Sequence, residues 1–373
     1  MSKSFHPPRR LLMGPGPSNV SQRVLDATAR PTIGHLDPEF GAFMEDLKGL
    51  LQWVFRTENR LTLPVSGPGT AGMEACLANL IEPGTKILVC RNGAFGQRMV
   101  AMAERMGAEA VAIDDEWGRA VDVEKVEAAL QAHPDASLLA FVHAETSTGA
   151  WSDAESLARL AREHDCLSLM DCVTSLGGIP VEIDAWGVDA AWAGTQKCLS
   201  CPPGLSPVTL SERAAQRIGA RKTPVQSWFM DFGLVMSYWG GEGGRSYHHT
   251  APVNALYGLH ESLLVLQEEG LEVAWQRHRD NHQALADALA QLDLEFLVPE
   301  DERLPQLNSV RIPEGVDDAA VRGELLESHG IEIGAGLGPL AGKVWRIGLM
   351  GETCRVESID RLSTALGQAL GID

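Results

Sequence analysis

The feature that most narrows the possible folds is a repeating alternation of short apolar runs with segments of helical spacing. The runs occupy residues 61–65, 86–90, 109–113, 137–143, 166–171, 190–194 and 206–210. Helical patterns fill several of the gaps, at 70–80, 95–106, 123–131 and 154–164, and an amphipathic stretch over 37–52 precedes them all. Strand-helix alternation of this kind predicts an α/β fold: seven strands in a mostly parallel sheet with helices on both faces. Between the last two runs the spacer Cys201-Pro202-Pro203-Gly204 is short, which leaves room for a hairpin-like return and one antiparallel edge strand.

A chain of 373 residues exceeds the roughly 250–300 at which one hydrophobic core stops growing, so a second, smaller unit is expected. The first twenty residues, with Gly14-Pro15-Gly16-Pro17-Ser18, are too rich in turn formers for a helix or central strand. They read as an arm that something else must hold. The expected organisation is an arm over 1–20, a large domain over 21–254 and a small C-terminal α+β domain over 255–373. In the last, strand patterns at 308–311 and 344–349 accompany helical ones at 319–328 and 356–370.

Basic residues number 31 and acidic ones 50, a balance of −19 that argues against nucleic acid as a partner while leaving local basic pockets open. Seven scattered cysteines are an odd count and do not describe a disulfide framework. No apolar stretch approaches the about 18 residues of a membrane span, and the N-terminal region has no signal-like apolar run. A mature cytoplasmic protein is expected.

Four positions carry candidate chemistry. Ser66-Gly67-Pro68-Gly69-Thr70 sits between a strand and a helix, where free backbone N–H groups suit a phosphate; a glycine turn capped by Thr70 is the plainer alternative. Asp171 ends an apolar strand at the edge where open α/β sheets bind ligands, and it needs a buried partner such as a protonated ring nitrogen, an arginine or a helix cap. Lys197, in Gly194-Thr195-Gln196-Lys197, lies in a sparsely charged stretch that would lower its pKa toward a nucleophilic amine able to form a Schiff base. Arg346 is an isolated charge in the strand pattern Val344-Trp345-Arg346-Ile347-Gly348, either a carboxylate clamp or a solvent-facing residue. Cys198-Leu199-Ser200-Cys201 lacks a second cysteine pair, and His248-His249 lacks an acidic partner, so no metal is expected.

Taken together these residues resemble the class V aminotransferases of the fold-type-I pyridoxal-phosphate enzymes, most closely the alanine–glyoxylate and serine–pyruvate type. The resemblance runs in order through Leu12 to Asn19, Ser66 to Thr70, Asn92-Gly93-Ala94-Phe95-Gly96-Gln97-Arg98, Glu145-Thr146-Ser147-Thr148-Gly149, Asp171 to Gly178, Gly194 to Lys197, Tyr247-His248-His249-Thr250, Gly336 to Pro339 and Lys343 to Gly348. It implies that Lys197 binds pyridoxal 5'-phosphate covalently and that Asp171 pairs with the ring nitrogen. It further implies that Gly69, Thr70 and Gln196, with Tyr247 and Thr250 of a partner subunit, hold the cofactor phosphate, while Arg346 takes the substrate carboxylate. Phe95 stands where the alanine–glyoxylate enzymes often stack tryptophan on the ring, Thr70 where close relatives have histidine, and Thr146 where they have serine. Thr174 falls within the cofactor-binding set, and Gly14, His35 and Asn254 within the substrate-bordering set.

The implied activity is transamination between a small amino acid, alanine or serine, and glyoxylate or pyruvate, carried out by a homodimer. Three alternatives remain at this level: transfer from (S)-ureidoglycine to glyoxylate, a cysteine desulfurase-like lyase using a mobile cysteine, and a non-catalytic protein that merely binds the cofactor.

Overall fold

The computed structural model describes residues 3–239 and 246–372. Its central sheet comprises β1 (Leu61–Ser66), β2 (Lys86–Arg91), β3 (Glu109–Asp114), β4 (Leu138–Val142), β5 (Leu167–Asp171), β6 (Ala190–Trp192) and β7 (Leu205–Leu210), in the spatial order β1-β7-β6-β5-β4-β2-β3. Strands β4 to β7 are buried along their whole length, which requires cover on both faces and explains why apolar residues predominate in each. β3, at one edge, is the most exposed of the seven.

The antiparallel strand is β7, but it does not lie at an edge as expected from the sequence. It pairs antiparallel with β6 on one side and with β1 on the other. The short spacer dictates the return, whereas β1, arriving from far upstream, covers the side left open. An apolar run records burial and carries no information about which neighbour accepts its hydrogen bonds.

Because β7 opposes both β1 and β6, strand β1 runs parallel to β2, β4, β5 and β6, and the carboxyl ends of all five meet at one edge of the sheet. The segments leaving that edge are 66–69, 91–94, 143–149, 171–175 and 193–197. Two of them run directly into helices α2 (Gly69–Leu80) and α3 (Ala94–Arg105), while α4 (Val123–Ala132) and α5 (Ala154–Glu163) follow β3 and β4. Helix α1 (Pro38–Phe55) buries Phe40, Met44, Leu47 and Leu51 beneath the sheet's apolar core, capped at its start by Asp37.

Helix α6 (Val253–Glu269) packs Leu256, Leu259, Leu263 and Leu266 into this same large core. The following helix α7 (Leu271–Gln291) is divided: Leu271, Ala274 and Trp275 join the large core, Leu285 and Leu289 a second one. Apolar packing therefore passes from one core to the other part-way along α7. The second core also takes Val310, Trp345, Ile347, Ile359 and Leu362 from a three-stranded antiparallel sheet and the helices beside it. That sheet has the order β8 (Leu307–Arg311), β10 (Val344–Gly348), β9 (Gly334–Ala335), and it is flanked by α8 (Asp318–Ser328) and α9 (Val356–Leu370).

The proline-glycine arm is held by both units. Leu11–Leu12 pairs in parallel with Ile331–Glu332, and Met13 is fully buried in the second core. Ser18 then donates its amide to the Gln196 carbonyl (2.8 Å) and its hydroxyl to the Lys197 carbonyl (2.8 Å).

Candidate active site

Lys197 follows β6 by five residues and is 8% exposed. Its Nζ donates to the Pro15 carbonyl of the arm. Burial, reinforced by the positive charge of Arg346, draws the amine down to about 8 from 10.5, so a nucleophilic neutral form is accessible near neutral pH. Gly16 makes this close approach feasible: its φ of +97° suits glycine, and a Cβ there would lie 2.5 Å from Lys197 Nζ.

Asp171 is the last residue of β5 and 3% exposed. Its Oδ1 accepts the Val173 amide (2.9 Å). That donor does not offset desolvation, and the carboxyl is pushed up to about 7. A group in this state fits a protonated nitrogen brought in by a ligand, because a cationic N–H donor would supply both the charge and the hydrogen bond that the chain leaves wanting.

Arg346 occupies the middle strand of the small sheet, bonded to β8 and β9 on either side, and is buried rather than solvent-facing. Its Nε donates to the Ala335 carbonyl (2.7 Å) and its Nη1 to the Thr146 carbonyl (3.2 Å). These bonds fix the guanidinium plane and leave Nη2 and one Nη1 hydrogen for a carboxylate. Burial lowers its pKa to about 10, so it remains a cation at neutral pH.

At the start of α2, Pro68 provides no side-chain cap, and a Cβ on Gly69 would press to 3.0 Å of the Val173 side chain. Thr70 accepts from Arg98 Nη1 (3.0 Å), whose guanidinium also lies 4.8 Å from the Phe95 ring centre. Among the described residues the buried Gln196 Oε1 has no hydrogen-bond partner, which leaves the amide able to serve a ligand. Thr146 and Thr174 share a hydroxyl hydrogen bond of 2.6 Å. An uncapped helix start, an unused amide and hydroxyls at one sheet edge fit the phosphate and ring of pyridoxal phosphate.

Against this geometry, the family model described as Aminotransferase class-V matches residues 11–362. The chain belongs to the class V aminotransferases. It is 42% identical to the alanine–glyoxylate aminotransferase of Oryctolagus cuniculus, over 99% of this chain and 95% of that one. The crystal structure of an alanine–glyoxylate aminotransferase from Nostoc sp. superposes with a TM-score of 0.97 at 48% identity, covering 99% of this chain and 97% of the other. The ureidoglycine–glyoxylate aminotransferase of Bacillus subtilis matches equally in shape (TM-score 0.97) at 38% identity, over 100% and 96% of the two chains. The architecture is that of fold-type-I pyridoxal-phosphate transferases, and the aminotransferase uses that cofactor.

Within one chain, the sheet edge carries Gly69, Thr70, Phe95, Thr146, Asp171, Thr174, Gln196 and Lys197. The arm and β10 bring Gly14 and Arg346 to it. Tyr247, at 63% exposure, and Thr250 are turned outward. His35 lies against Tyr247, with ring centres 5.5 Å apart. Asn254 donates to the carbonyls of Thr28 (3.0 Å) and Arg30 (2.7 Å), so it fastens the segment leading to His35. Cys198, beside the lysine, is buried with its thiol on the Thr174 carbonyl, and burial pushes that thiol up to about 12, an unreactive state.

Glu145 escaped the sequence reasoning. It is fully buried, accepts from the Phe95 amide (3.2 Å) and both the amide and hydroxyl of Ser147, and thereby anchors the start of α3. Burial raises its pKa, and its charge in turn raises that of Asp171. A lone acid just past the apolar run 137–143 was the available signal, the same signal that singled out Asp171. Ser18 escaped as well, because a serine among prolines reads as turn chemistry.

Proposed function

We propose that this aminotransferase moves an amino group from alanine or serine to glyoxylate or pyruvate, as a homodimer. The observation that carries the reading is a buried amine and a buried carboxyl at one sheet edge, each with its charged form disfavoured, beside a buried arginine with unused donors. When bound, pyridoxal phosphate supplies an electron sink for the pair of electrons left at the substrate Cα.

The chain's own residues do the rest. Asp171 would hold the ring nitrogen protonated, and Phe95 would pack on the ring. Gly69, Thr70 and Gln196 hold the phosphate, joined by Tyr247 and Thr250 of the partner subunit. Thr146 and Thr174 line the ring's polar side. Arg346 fixes the substrate carboxylate and so aims the Cα–H bond. Lys197 would hold the cofactor, and its Nζ would take and return the proton at the substrate Cα. Gly14 borders the substrate in the same chain, and His35 and Asn254 accompany Tyr247 to the partner's site. A pocket with one carboxylate clamp suits small donors. All seven cysteines are free and buried, which supports a reducing, cytoplasmic setting.

A panel of alanine, serine, ureidoglycine and cysteine against glyoxylate and pyruvate tests this on the cofactor-loaded enzyme. Alanine or serine is expected to give the matching oxo acid, and Lys197→Ala to abolish transfer. Preferential use of ureidoglycine, sulfide release from cysteine, or cofactor retention without turnover would each replace the reading.

A further inference from the structure

A cavity of about 360 Å³ lies between the arm and the start of α9, and none of the residues at the sheet edge that carries Lys197 lines it. Arg9, Arg10, Arg355, Arg361 and His329 line it, with Glu352 the acidic residue among them. Acids outnumber bases 50 to 31 over the whole chain, yet here four arginines face one glutamate. The concentration is therefore opposite to what the composition would scatter at random.

The side chains fall into two groups. Arg10 donates to the Leu326 carbonyl (2.7 Å), and Arg355 is paired with Glu352 (2.7 Å), so these two build the wall. Arg9 and Arg361 have no ion pair among the described residues and stand exposed on the same cavity. Four guanidinium groups around one recess carry more positive charge than Glu352 balances, and a multivalent anion among them would offset their repulsion. A carboxylate has two oxygens and is satisfied by one fork, whereas a phosphate offers three acceptor oxygens and up to two charges to several forks together.

We infer that this cavity is a binding site for a soluble phosphate-bearing anion, separate from the position of the cofactor phosphate. The inference is independent of which amino acid the enzyme uses.

Calorimetric titration of inorganic phosphate and of pyrophosphate into the cofactor-loaded enzyme tests it, since the catalytic phosphate position is then filled. Saturable binding of one anion per chain is expected, weakening with added salt. The double variant R9Q/R361Q, which removes no bond that holds the fold, is expected to weaken binding at least about tenfold. Its melting temperature, visible cofactor spectrum and phosphate-free turnover should match the unaltered enzyme. No saturable uptake, or equal uptake by the double variant, would overturn the site. So would flotation with vesicles containing phosphatidylinositol phosphate that depends on Arg9 and Arg361 but is not accompanied by binding of the free anions.

Discussion

At the scale of single residues, Asp171 and Lys197 pull stability in opposite pH windows. The Asp171 carboxyl has a folded pKa of about 7 against 3.8 in the open chain, so between those values the folded form retains a proton that the unfolded form has lost. Stability of the cofactor-free protein therefore falls as pH rises from about 4 to 7, by roughly 4 kcal/mol at most, and the penalty stays in full above that. Lys197, lowered to about 8 from 10.5, binds fewer protons folded than unfolded across that interval, so its penalty is complete below pH 8 and fades as pH rises toward 10.5. Asp171→Asn removes the carboxyl penalty. Urea denaturation of the cofactor-free variant should show a gain that is larger at pH 8 than at pH 5, while kcat/KM of the loaded variant drops at least about a hundredfold for want of the ring-nitrogen partner. Equal loss of stability and activity would mean that the carboxylate is already satisfied within the chain. Arg346→Gln is expected to raise KM for the amino donor by about ten- to a hundredfold, since its bonds to Ala335 and Thr146 aim the remaining donors at a carboxylate. A change confined to kcat, measured by initial rates over a donor series, would contradict the clamp.

At the scale of elements, the lysine loop is gripped from both sides. The arm contributes Ser18, and the turn after β10 contributes Glu352, whose amide donates to Ser200 Oγ (2.7 Å). Gly351 in that turn has φ +52° and donates its amide to His278 Nε2 (3.0 Å), while a Cβ there would collide with Ser200 Oγ. His278 can accept that bond because burial keeps it neutral, with a pKa lowered to about 4, and its Nδ1 side meets the Ala274 carbonyl. Gly16→Ala would place a methyl against Lys197 Nζ at a positive φ, at a strain of about 1–3 kcal/mol. Near-native circular dichroism with little bound cofactor absorbance is the expected result; normal cofactor uptake would show that the arm does not set the position of the amine. Such grips leave no local trace in the sequence, whereas the sheet and its lone charges do. The seven runs of the sheet stood out because buried parallel strands are predominantly apolar, and Asp171 and Arg346 because a lone charge interrupts such a run. The interior place of β7, the two-residue pairing of the arm and the role of Ser18 depend on contacts between segments up to 320 residues apart, such as Leu11 with Ile331, and no local pattern encodes them.

At the scale of the whole molecule, the proposed homodimer would complete each site with residues of the other chain. Tyr247 and Thr250 face outward, and Trp228 (61% exposed) stacks on His248 with ring centres 4.2 Å apart, beside the exposed Phe229. Aromatic side chains grouped in this way are costly to leave in water and mark a surface that a second copy would cover. If Tyr247 and Thr250 complete the neighbour's phosphate contacts, two different defects can rescue each other. A homodimer of Lys197→Ala lacks the amine at both sites, and one of Tyr247→Ala/Thr250→Ala lacks the phosphate contacts at both. In a mixed dimer, one site combines the intact lysine of the second chain with the intact Tyr247 and Thr250 of the first, and the other site carries both defects. Half the dimers formed by random exchange are mixed and each has one sound site, so co-refolded equal amounts should recover about a quarter of the unaltered turnover. Recovery near that fraction requires the site to be shared across the interface. If each chain instead supplied its own Tyr247 and Thr250, every site in the mixture would keep at least one defect, and the rate would not rise above the average of the two parents.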